Sequence, residues 1–250
     1  MIADMSPRLS ETESRRGISG IIRRDGPAVA VAAIATIAVE LGIYLLGRAC
    51  GAGIRNSTLA ALATGVLWTA VASGVLAGGG KNSLGSLLRG GIVADASAVV
   101  LIVLWLSVPQ MTLLAALKVY CIYAAMALAA VAAVTAAKSP DGKYTMGVAA
   151  AVVMFVSLTT PLWIGGMLAE ADPKITRNIV TWATYANPFY CVIAAVEQMR
   201  FVWHRAPLMY HITRIGDSAA PPPVPWFAAA AIYACLAVML SLVSLLRRRR

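Results

Sequence analysis

An all-α polytopic membrane protein is the fold class this sequence predicts, and three observations predict it. Of the 250 residues, 60% are hydrophobic and only 13% are charged, and the mean hydropathy is +0.76. A soluble domain of this length could not bury so much apolar surface, so lipid has to act as part of its solvent. The charges are also clumped: residues 56–80, 96–117, 119–137, 144–169 and 218–246 hold no Asp, Glu, Lys or Arg. Each run is near or above the ~20 residues with which a helix crosses ~30 Å of hydrocarbon. These runs lack the period-two alternation of a membrane barrel, and a helix satisfies its own backbone groups in lipid.

Residues 1–27 form a cytoplasmic basic tail, with Arg8, Arg15, Arg16, Arg23 and Arg24 against Asp4, Glu11, Glu13 and Asp25. Ile18, Ile21 and Ile22 place one apolar stripe among the arginines, as on an amphipathic helix at a membrane surface. Gly17 and Gly20 weaken that helix and leave a disordered tail equally open. Residues 28–250 make a single transmembrane domain. Span 1 is expected over about 28–47, starting just after Pro27, and span 2 over about 58–77. A Gly- and Ser-rich loop, 78–90, carries Lys81 and Arg89 and leads to span 3, about 91–108. Pro109-Gln110 then separates span 3 from span 4, about 111–137; unbroken, the stretch would be a helix of ~70 Å. The run from Lys138 to Lys143 is a turn by composition. Span 5 covers about 144–168 and span 6 about 226–246, with Trp226 as an interfacial anchor.

The basic residues orient these spans. Five Lys/Arg lie in the tail, two in 78–90, two in 138–143 and four in Arg247–Arg250, against two in the short loops of the opposite side. Both termini are therefore expected to be cytoplasmic, in a cell (inner) membrane, with the long segment 169–225 outside. The net charge of +10 is explained by this bias, and no soluble domain that could carry a nucleic-acid patch is visible.

Catalytic signatures are missing. Gly79-Gly80-Lys81-Asn82 looks like a fragment of a phosphate-binding loop, but Val75 stands at the first glycine position and Asn82 at the Ser/Thr position. Ser83 has Lys81 two residues before it, so no nucleophile elbow forms. Cys50, Cys121, Cys191 and Cys235 have no metal-ligand spacing and read as small apolar residues. His204 and His211 could share a helix face, but Pro207 lies between them. The chain is thus expected to have no catalytic, metal or cofactor site of its own.

Three ionisable residues fall inside the predicted spans: Glu40, Asp95 and Lys118. Glu40 lies seven residues before the outer end of span 1, and Lys118 seven residues after the start of span 4. Both then sit ~10 Å below the outer surface, and a Glu40–Lys118 ion pair is expected to join spans 1 and 4. The alternative is that Lys118 snorkels outward. Asp95 is read as lying near the inner end of span 3.

Segment 169–225 is too apolar for a plain loop. Asn187 suits a helix cap and Pro188 a first helical position, with Glu197 and Arg200 as an i, i+3 pair. This helix is short for a span, and Arg205 and Pro207 follow it. With 175–186 as the other arm, an apolar re-entrant or interfacial helical hairpin is expected between spans 5 and 6. Residues 221–225, Pro-Pro-Pro-Val-Pro, stiffen the lead into span 6.

This order resembles the membrane-spanning subunit of ABC-2-type transporters. The resemblance rests on the basic start, six spans, both ends inside, the hairpin, Pro161, Pro173, Asn187-Pro188-Phe189-Tyr190 and Arg200. It covers most of the chain as architecture, though its motif is short and tolerant. It implies a permease, not an enzyme, that forms the membrane path of an exporter for a lipid-like or amphipathic substrate. It also implies partners: a separate ATP-binding-cassette ATPase subunit, a second permease chain in a homodimer or heterodimer, and membrane lipid. Lys81 and Arg89 are the candidate ATPase-coupling loop. There the chain departs from the family, because 81–89 lacks the acid of the family's acidic-basic element. The other function weighed is a non-catalytic structural membrane subunit of a larger enzyme complex.

Overall fold

A computed structural model describes residues 6–80, 82–168, 172–196 and 224–249. They form eight helices in chain order, with no strand among the described residues: α1 (Ser6–Ala49), α2 (Ile54–Gly78), α3 (Ser83–Ser107), α4 (Leu113–Thr135), α5 (Pro140–Leu168), α6 (Pro173–Ala186), α7 (Pro188–Ala195) and α8 (Ala228–Arg249). Among the described residues, six stretches are long and apolar enough to cross a membrane: Asp25–Ala49, Ile54–Gly78, Ser83–Ser107, Leu113–Thr135, Pro140–Thr160 and Ala228–Leu246. The expected count of six is therefore observed.

The boundaries differ from expectation where caps and glycines were misread. Pro27 does not start a helix. It lies inside α1, which runs unbroken from Ser6. The carbonyl that its missing N–H leaves without the usual partner belongs to residue 23, before the apolar span begins. The expected loop 78–90 shrinks to the four residues 79–82. Asn82 explains the early start of α3, because its side chain accepts from Gly85 N at 2.7 Å and caps the helix. At the start of α4, Thr112 accepts from Ala115 N at 3.1 Å, so the break at Pro109-Gln110 is real. The turn from Lys138 is also shorter than expected. Ser139 Oγ accepts from Gly142 N at 3.1 Å, and α5 begins at Pro140.

α2 is the hub. It packs on α1, α3, α4 and α5, while α4 packs in turn on α2, α3, α5, α7 and α8. Interior side chains include Leu62, Val66, Val100, Leu104, Ile122, Tyr123 and Met126, all 2% exposed or less. Small residues bring the backbones together, the usual means of helix association in lipid. A Cβ on Gly74 of α2 would stand 2.5 Å from the Gly147 carbonyl oxygen of α5. A Cβ on Gly65 would collide with the Tyr123 ring of α4.

The ends of the bundle differ in chemistry. Asp25 meets Arg89, Lys143 reaches Gly80 and Ser244 reaches Thr135. These contacts gather the start of span 1, the end of α2, the starts of α3 and α5, and the ends of α4 and α8 at one basic end. α6 and α7 are found at the opposite end, between α5 and α8, and meet at Asn187.

Candidate functional site

The polar groups inside the spans fall into three places. The first is mid-bundle. Glu40 is 2% exposed, and its Oε1 accepts from Ser97 Oγ of α3 at 2.5 Å. One helical turn earlier, Thr36 Oγ1 accepts from Trp68 Nε1 of α2 at 2.9 Å and donates to Ala32 O at 2.8 Å. Tyr123 of α4 donates to Leu62 O of α2 at 2.7 Å. These bonds tie α1 to α2 and α3, and α2 to α4, through groups that would be costly to leave unpaired in an apolar interior.

The expected Glu40–Lys118 ion pair does not form. α1 packs on α2 and α3, whereas Lys118 lies on α4, whose neighbours beyond α2 and α3 are α5, α7 and α8. Lys118 Nζ instead sits 5.5 Å from the centroid of the Trp226 ring at the start of α8, within cation–π range. Similar depth in the membrane was therefore not enough to make the two residues meet. Trp226, expected as an interfacial anchor, is also the aromatic partner of this cation.

Asp95 is placed differently from expectation. Because α3 begins at Ser83, Asp95 lies near the middle of a 25-residue helix, ~18 Å from its start at 1.5 Å per residue. It is exposed on the outside of the protein, where Tyr120 of α4 donates to its Oδ1 at 2.9 Å.

The second place is the basic end. Arg89 is not a loop residue but lies two turns into α3, where its Nε and Nη2 donate to Asp25 Oδ1 at 3.1 and 2.7 Å. Asp25 is completely buried and lies against the first turn of α3; a Cβ on Gly85 would be 2.7 Å from its Oδ2. The ion pair joins α1 to α3. The candidate coupling loop loses Arg89 as a solvent-facing member, and Lys81 lies outside the described residues. Lys143, 8% exposed, donates to Gly80 O at 3.4 Å.

The third place is the hairpin region. Asn187 closes α6 and caps α7, accepting from Phe189 N at 3.0 Å. Its Nδ2 donates to Ser157 O and Leu158 O of α5 at 3.3 and 3.0 Å. The expected roles of Asn187 as cap and Pro188 as first helical residue are observed. Tyr190 is half-buried, its ring edge-on to Phe189 with centroids 6.5 Å apart. Asp172 caps α6 through Lys174 N at 2.8 Å. Cys191 is fully buried and accepts from Ala229 N of α8 at 3.4 Å. Burial pushes its thiol up to about 11, against a smaller lowering by backbone donors. Glu197, Arg200, His204 and His211 lie outside the described residues, as does the far end of the expected hairpin.

Sequence reasoning missed Ser97, Tyr123, Asp25 and Lys143. The available signals were weak: a hydroxyl inside an apolar run, and a carboxylate immediately before one. Among the described residues no three His, Cys, Asp or Glu side chains gather as a metal-binding set.

Together, six apolar helices and their interhelical hydrogen bonds define a multi-pass helical membrane protein. Family models, curated proteins and solved structures offer no match to this chain.

Proposed function

We propose that the chain is the permease subunit of an ATP-driven exporter of the ABC-2 type. In this reading it forms the membrane path for a lipid-like or amphipathic substrate, and a separate ATP-binding-cassette subunit hydrolyses ATP. It works as a dimer of permease chains in the cell membrane, both termini cytoplasmic, with α6 and α7 as part of an outward re-entrant or interfacial hairpin.

The observation that carries the reading is the Asp95–Tyr120 pair. An ionisable side chain halfway along a span almost always faces a bundle interior or a water-filled cavity, because lipid contact is costly. Asp95 and Tyr120 instead lie on the outside of this single chain. A second permease chain across the α3–α4 face would remove that conflict and place a polar lining at mid-depth, where a path for an amphipathic molecule needs one.

Purification in mild detergent tests the proposal. Recovery of a stoichiometric ATPase is the expected result, with Asp95→Leu lowering ATP-dependent transport while the complex still assembles. Recovery of a redox or synthase complex instead would overturn the permease reading in favour of a structural subunit.

A further inference from the structure

α5 and α8 both lean on α4 but pack little on one another, and the seam between them holds two compartments. At the basic end is a cavity of about 460 Å³ lined by polar and cationic groups, among them Asn82, Ser83, Thr135, Lys138, Lys143 and Ser244. Farther along the same three helices is an apolar cavity of about 350 Å³, bounded by Ala133, Met146, Ala150, Val153, Leu236 and Leu240. Lys143 and Met146 are about one helical turn apart on α5, as are Ser244 and Leu240 on α8. The polar compartment is therefore next to the apolar one along the seam. Ser244 Oγ, donating to Thr135 O at 3.3 Å, marks the boundary.

The chemistry of the two compartments is that of an amphiphile. Lys138 and Lys143 give the polar compartment its charge, and no carboxylate lines it among the described residues. The first turn of α3 at Ser83 adds the positive end of a helix dipole. Basic pockets between membrane helices favour anionic lipid headgroups. The apolar compartment supplies no such preference, since lipid tails are as apolar as its walls.

We propose that this seam holds one anionic phospholipid, its phosphate between Lys138 and Lys143 and one acyl chain along the groove between α5 and α8. The inference does not rest on the permease reading, because a resident lipid is held whatever the chain transports.

Native mass spectrometry of the detergent-purified full chain tests it, using phosphatidylglycerol, phosphatidylcholine of the same chain length, and inorganic phosphate. Two lysines are worth about a thirtyfold preference for the anionic lipid. The expected result is one tightly held phosphatidylglycerol, lost in the Lys138→Gln/Lys143→Gln pair and kept in the Lys138→Arg/Lys143→Arg pair. Lys138 is exposed, so Lys138→Gln folds even where the buried Lys143→Gln does not, and alone it should reduce the preference about fivefold. Ala150→Phe, which fills the groove, should weaken phosphatidylglycerol without changing phosphate. Equal binding of the two lipids by the unaltered chain, or a preference that Lys138→Gln leaves undiminished, overturns the proposal. So does full competition by inorganic phosphate, which would make the ligand a free anion. A dimer whose seam admits no lipid overturns it as well.

Discussion

By mean hydropathy the α4 and α8 spans are near equals, at 2.0 and 2.4, yet 67% of the α4 span is buried within the protein and only 17% of the α8 span. Hydropathy reports the solvent a helix tolerates and says nothing of its neighbours. Residue size separates the two. Most of α4 after Tyr123 is Ala, with Val and a few larger residues, so other helices approach on several sides. α8 has four of its six alanines in its first turn, where Ala228 and Ala229 are buried. It then turns to larger side chains, and Val238, Met239, Leu242 and Leu245 are exposed. α8 is therefore held at its start, by α4, α7 and the Lys118–Trp226 contact, and more loosely toward the basic end.

That contrast can be broken at several points. Gly74→Val should act most strongly. Its side chain would meet the Gly147 backbone, which no rotamer change relieves, at a cost of about 3 kcal/mol or more. The check is loss of folded monomer in detergent size-exclusion chromatography. Arg89→Ala should come next, at about 2–3 kcal/mol, because it takes a doubly hydrogen-bonded cation from the buried Asp25; the figure is below that of a fully buried pair since the Arg89 side chain is 22% exposed. A double-mutant cycle with Asp25→Asn in thermal melts should recover a coupling of about 1–3 kcal/mol. Glu40→Ala should cost about 2 kcal/mol from the void it leaves, and Glu40→Gln under about 1 kcal/mol because an acceptor for Ser97 remains. Equal losses for the two would show that the hydrogen bond contributes nothing beyond volume. On α8, Leu242→Ala should change stability by less than about 0.5 kcal/mol. A larger effect would mean that the lower half of α8 is packed after all.

Cysteine labelling sharpens the same comparison at the start of α8. The thiolate is the nucleophile, and a thiol raised to about 11 stays protonated at pH 8. Cys191 should therefore resist a water-soluble maleimide at pH 8 until the protein is denatured, whereas the exposed Cys50 should label at once. Rapid labelling of Cys191 would mean that the α7–α8 junction opens.

Part of the site was legible beforehand. Asn187 and Pro188 could be read because a cap followed by proline acts over a few residues. The loop 78–90 was misread because glycine signals both flexibility and close approach. Gly90 belongs to the second kind, since a Cβ there would meet Val131 of α4 and the Ser73 carbonyl of α2. By sequence Asp25 belongs to a polar tail, because nothing local reveals that α3 begins against it.

By itself the sequence determined the number of spans, their approximate ends and the break at Pro109, since each depends on a local run of residues and on the thickness of the membrane. Only the tertiary structure decided which polar groups meet. Position along a span reveals depth, one coordinate out of three. It says nothing of rotation about the helix axis or of which helix stands alongside. The predicted ends put Glu40 and Lys118 at one depth, but Glu40 faces α3 and Lys118 faces the start of α8, so Glu40 meets Ser97, Lys118 meets Trp226 and Arg89 meets Asp25.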